Sequence, residues 1–75
     1  MLYPNPASEK LTVNSPDWDS VVGIEISDVA GKLVFHKTGN KMDNQLILNH
    51  LSAGIYFLKT ENKNSIVTTY KFVVK

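Results

Sequence analysis

The chain has 75 residues, eight Lys and no Arg against seven acidic residues, a net charge of +1 and no Cys. That length allows one domain with a small core, over residues 1–75. The missing Cys excludes disulfide stapling, cysteine-ligated zinc, thiol catalysis and iron–sulfur clusters; the charge pattern offers no arginine-bearing basic stripe for nucleic acid; and no apolar run has the length to insert in a membrane.

Turn formers at Pro4, Pro6, Pro16, Gly23, Gly31, Gly39 and Gly54 interrupt runs rich in Val, Ile, Leu, Thr, Tyr and Phe. That spacing predicts an all-β fold. Met1 directly before Leu2-Tyr3-Pro4-Asn5-Pro6 reads as a start placed on an excised segment. A short strand is expected over Leu2–Asn5, then one over Lys10–Asn14 with Leu11 and Val13 on one face. Val21–Val29 alternates, with Val22, Ile24 and Ile26 opposite Glu25 and Ser27. Asp28-Val29-Ala30-Gly31 follows as a tight turn, in which Asp28 accepts backbone N–H groups and Gly31 supplies a positive φ. Lys32–Lys37 returns as a strand with Leu33 and Phe35 on one face, completing a hairpin.

Thr38–Asn44 reads as a polar loop and Gln45–Asn49 as a short strand. Leu51-Ser52-Ala53-Gly54 is a turn into Gly54–Thr60, the most apolar strand and the one expected at the centre of a sheet. Asn62-Lys63-Asn64 supplies a hairpin loop with two residues that tolerate the left-handed conformation. Ile66–Val74 closes the chain with a period of two: Ile66, Thr68, Tyr70, Phe72 and Val74 form a mostly apolar face. Strands of this kind bury best as two packed antiparallel sheets, so the expected fold is a small immunoglobulin-like β-sandwich of about seven strands.

Sites for chemistry are sparse. His36 lies on the polar side of its strand and His50 at a turn, neither at ligand spacing, so no metal site or cofactor is expected. Six Ser and four Asp are present, yet no Ser sits in a Gly-x-Ser-x-Gly elbow, and no catalytic residue is assigned. Asp17-Trp18-Asp19 has two readings: a Trp folded back to plug one end of the sandwich between solvated acids, or, with Tyr3, a platform for a sugar ring in a carbohydrate-binding or adhesive module. Lys71 and Lys75 read as edge charges that discourage sheet-to-sheet pairing.

The ordered set of motifs says more than any one of them. Tyr3-Pro4-Asn5-Pro6-Ala7, Leu11-Thr12-Val13, Ile24-x-Ile26-x-Asp28-x-x-Gly31-Lys32, Leu51-x-x-Gly54-Ile55-Tyr56 and Lys71-Phe72-Val73-Val74-Lys75 follow one another from Leu2 to Lys75. In this order they resemble the C-terminal sorting domain of proteins exported by the type IX (Por) secretion system of Bacteroidetes. The resemblance implies an immunoglobulin-like sandwich, no enzymatic activity, and a monomer at the end of a larger secreted protein. It also implies passage through the periplasm to the cell surface or medium. The partners would be the outer-membrane translocon, its barrel-shaped shuttle and a surface sortase-like protease that cuts near the start of the domain. Gly54, Tyr56, Lys71, Phe72, Val73, Val74 and Lys75 match the part of the family pattern that carries most of the signal. Pro4, Asn5, Pro6, Asp28, Gly31 and Lys32 match its turns. Phe72 and Val74 are expected to stay packed while Lys71, Val73 and Lys75 face a partner.

Overall fold

A computed structural model describes residues 2–3, 7, 9–40 and 42–75. The expected turn at Pro4, Asn5 and Pro6 lies outside the described residues. Seven strands are present among those described: β1 (Leu2–Tyr3), β2 (Lys10–Val13), β3 (Val21–Asp28), β4 (Leu33–Thr38), β5 (Gln45–Ile47), β6 (Gly54–Asn62) and β7 (Val67–Val74). They form one sheet in the order β1-β2-β5 and a second in the order β4-β3-β6-β7. Every ladder within the two sheets is antiparallel. This is the expected β-sandwich, with the fourth strand hydrogen-bonded to the third and the sixth strand inside the larger sheet.

The core lies between the sheets. Leu11, Val13, Leu46 and Leu48 come from the smaller sheet and its margin; Ile24, Ile26, Tyr56, Leu58, Phe72 and Val74 come from the larger one. Alternation on β6 is clean: Tyr56, Leu58 and Thr60 point inward, while Ile55, Lys59 and Glu61 are exposed. Two bulges move the pattern elsewhere. On β3 the register against β6 passes from Val21 to Gly23, so Val21 takes the buried place expected for Val22. On β4 the register passes from Phe35 to Leu33 across Ile26/Ser27. Leu33 therefore sits opposite Ser27, 45% exposed, and does not share the face of Phe35, which packs on the core.

The expected inner face of the last strand is buried only at its end. Phe72 and Val74 are inside, but Ile66 and Thr68 are exposed. The reason is length. At ~3.3 Å per residue a strand of eight or nine residues outreaches one of three or four. The tip of the β6–β7 hairpin thus extends past the smaller sheet.

Two hairpin turns use one device. At β3–β4 the Asp28 carboxylate accepts the N–H groups of Ala30 (3.0 Å) and Lys32 (2.9 Å), and Gly31 follows with φ +87°. At β6–β7 the Asn62 side-chain carbonyl accepts those of Asn64 (2.9 Å) and Ile66 (3.0 Å). The left-handed residue here is Ser65, φ +63°, and not one of the asparagines. The position matching Gly31 thus carries a side chain that penalises the conformation. Ser65→Gly is expected to stabilise the domain by about 1 kcal/mol. A urea midpoint that does not rise would contradict the cost assigned to Ser65.

Candidate functional surface

The structure assigns most sequence motifs to architecture. Trp18, in a one-turn 3-10 helix over Trp18–Ser20, packs against the core. Its indole Nε1 donates to the Met42 carbonyl at 2.7 Å. Asp17 and Asp19 are exposed, and Asp17 accepts from the Ser15 hydroxyl. The plug reading of Trp18 holds: its one donor is satisfied and its ring contributes to the core. Met42 is itself buried, Asn44 exchanges bonds with Val13 of β2, and the Gly39 N–H donates to the Val22 carbonyl of β3, so the loop between β4 and β5 is anchored on one strand of each sheet. His36 is exposed beside Glu25, and the exposed His50 lies over the Phe35 ring at 6.3 Å between centroids. Among the described residues no three His, Cys, Asp or Glu side chains converge as a metal site would need.

The Leu51-x-x-Gly54-x-Tyr56 motif acquires a physical meaning. The Tyr56 hydroxyl donates to the Ser52 carbonyl at 2.7 Å, four residues upstream. Leu51 packs on the core and its N–H returns to the Leu48 carbonyl at 2.9 Å. Gly54 turns the chain into β6 with φ +157°. This is a tyrosine corner, the device by which an immunoglobulin-like sandwich fixes the entry to its penultimate strand. The Tyr56 ring then stacks on Phe72, with centroids 5.8 Å apart and planes at 25°. Gly54 and Tyr56 therefore hold the terminal strand in place from beneath.

What remains outside is the terminal strand itself. β7 is an edge of its sheet, hydrogen-bonded only to β6 within it. Phe72 and Val74 are buried, whereas Lys71, Val73 and Lys75 are exposed. Val73 stands directly opposite the exposed Ile55, and Lys71 opposite Phe57. The surface is thus a small apolar patch, Val73 with Ile55, between two lysines.

The backbone polarity of β7 can also be read. Asn62 N–H donates to the Ile66 carbonyl, so the even-numbered residues carry the ladder to β6. Odd-numbered residues turn their N–H and C=O groups to the outer edge. At the end of the strand Ala7 occupies that edge: its N–H donates to the Val73 carbonyl at 2.8 Å, and its carbonyl accepts the Lys75 N–H at 2.7 Å. This is a parallel bridge between Ala7 and Val74. Further up, Val67, Thr69 and Lys71 present their groups without a neighbouring strand among the described residues.

The profile of one family, described as the secretion system C-terminal sorting domain (Por secretion tail), matches residues 1–75. The chain belongs to this family. Comparison with curated proteins finds none that matches. The family is one of sorting signals rather than of enzymes. A sorting domain of this kind works with the type IX secretion machinery of Bacteroidetes and directs export toward the cell surface. The two-sheet architecture described above is the small β-sandwich expected from the resemblance. Pocket-like depressions occur on the surface, among them one lined by Asp19, Asn40, Met42 and Lys63 and one by Gly23, Glu25, His36 and Lys59.

Proposed function

We propose that this sorting domain is engaged through β7, by its outer edge and by the face carrying Lys71, Val73 and Lys75. It would stand at the C-terminus of a larger secreted protein and carry that cargo from the periplasm across the outer membrane. The shuttle barrel and translocon receive the strand, and a surface sortase-like protease then removes the domain by a cut upstream of or near Leu2. The observation that carries the reading is the division of one strand between two roles. Phe72 and Val74 anchor it in the core, while the alternate residues and the edge groups are presented outward. An extended edge with alternating side chains is what strand-addition partners recognise, the backbone supplying affinity and the side chains specificity. Gly54 and Tyr56 serve this surface indirectly, by holding β6 and Phe72. Asp28, Gly31 and Lys32 form a hairpin turn and act through the fold.

The test is a fusion of residues 2–75 to the C-terminus of a fluorescent protein with a periplasmic signal peptide. It is expressed in a bacterium with an intact type IX system and in a translocon mutant. Fluorescence should reach the surface or medium in the first strain alone. Periplasmic retention in both strains would overturn the reading. The carbohydrate-binding alternative gains no support from Trp18, whose ring packs on the core and whose Nε1 is satisfied.

A further inference from the structure

Ala7 belongs to the link between β1 and β2, strands of the smaller sheet, yet its hydrogen bonds go to the larger one. It is fully buried, and both its backbone groups are held by β7 at Val73 and Lys75. A single residue thus pairs in parallel with the last residues of the terminal strand. The edge it covers is continuous with the edge at Val67, Thr69 and Lys71, which no strand pairs among the described residues. A partner strand that adds along β7 as far as Lys75 needs the same Val73 carbonyl and Lys75 N–H.

We infer that Ala7 is an internal latch on the recognition strand. It occupies the outer edge of β7 and is displaced when a partner strand takes that edge, so engagement of one end of the domain loosens the other. The inference rests on the reading that this edge is engaged during export. Among the described residues the contact at Ala7 is two backbone hydrogen bonds and one buried methyl group. The neighbouring β1 is held to β2 by only two residue pairs, Leu2↔Val13 and Tyr3↔Thr12. Among the described residues, release of Ala7 leaves these two pairs as the strand pairing that ties the N-terminal end to the body. In the free domain the latch ties the N-terminal segment to β7 at Ala7; in the engaged domain that tie is released. The order of events, recognition first and access to the junction second, then follows from which strand holds the edge.

Two experiments test the latch, and the first needs no secretion machinery. In the 75-residue chain, Lys75→Pro deletes the N–H that the Ala7 carbonyl accepts and leaves the core untouched. Amide exchange of Ala7 should accelerate at least tenfold, with Leu58 and Phe72 unchanged; equal protection of Ala7 in both chains would overturn the latch. The second uses the fluorescent fusion. Ala7→Cys with Val74→Cys places a pair across the parallel bridge in a chain with no other Cys. Oxidised, this clamp should cut export at least tenfold and reductant should restore it. The reduced form of the same double variant is the reference, and a control pair at Glu25 and His36, opposite each other in mid-sheet, should export alike oxidised and reduced. Export of the oxidised clamp at the unmodified rate would overturn the latch. If the unmodified fusion itself fails to leave the periplasm, the recognition reading fails instead, and the exchange experiment still decides whether Ala7 is held by Lys75.

Discussion

Phe72→Ala is expected to destabilise the domain by about 3–5 kcal/mol, the range for removing a fully buried aromatic side chain. Phe72 is entirely excluded from solvent, stacks on the Tyr56 ring and pairs with Tyr56 across the β6–β7 ladder. Removing its ring opens a cavity between the tyrosine corner and the terminal strand at once. For a chain of 75 residues the whole folding stability is about 4–11 kcal/mol. The substitution therefore takes up much or all of the margin, and a substantial unfolded fraction should appear. Urea denaturation measures it directly. A loss below about 1.5 kcal/mol would mean that the site collapses around the gap and that Phe72 is not the anchor argued for here. The result also governs how truncations are interpreted. Deleting Phe72–Lys75 removes a core residue together with the exposed ones, so loss of export in that truncation mixes unfolding with lost recognition.

Lys71→Pro separates the two. Lys71 is an odd-numbered residue of β7, so its N–H faces the outer edge and no ladder bond to β6 depends on it. Proline on an edge strand with its nitrogen toward solvent is tolerated. The domain should stay folded, within about 1 kcal/mol of the unmodified chain. The edge, however, loses a donor and gains a ring where a partner strand would lie. Export of the fluorescent fusion is expected to fall at least about tenfold, the equivalent of a lost hydrogen bond near 1.4 kcal/mol. Lys71→Ala keeps the N–H and removes only the charge, and should fall less. Thr68→Pro is the opposite control, because it deletes a ladder donor opposite Thr60 and should destabilise the sheet by about 1–3 kcal/mol. A folded Lys71→Pro fusion that exports as well as the unmodified one would remove β-strand addition as the mode of engagement.

These predictions rest on a division between local and long-range information. The β7 period of two, the Asp28–Gly31 turn and the central place of β6 were legible because each is specified within a few residues. Alternation selects a strand, and a carboxylate four residues before Lys32 selects a turn. The bulges at Val21/Gly23 and at Val34 were not legible, since a bulge is a mismatch between two strands and appears in neither alone. Ser65 escaped for a related reason. Propensity favours asparagine in the left-handed region, but the Asn62 side chain fixes the turn by capping two N–H groups, and the strained place then falls to whichever residue comes third.

For the candidate surface the same boundary holds. Sequence by itself determined the strand content, the absence of thiol chemistry and, through the order of its motifs, the family. It also separated Phe72 and Val74 from Lys71, Val73 and Lys75, because side chains alternate along any strand. Tertiary structure alone decided which of those motifs face outward. Tyr56 was in the recognised pattern, yet its hydroxyl closes a corner and its ring supports Phe72. Ala7 closes the Tyr3-Pro4-Asn5-Pro6-Ala7 motif, but nothing in that motif points to β7: one small residue has no period, and its contact exists only because β7, far along the chain, passes beside it. Hydrogen bonds between segments so distant in sequence depend on how the two sheets meet, and that is settled by packing the whole core rather than by any local preference.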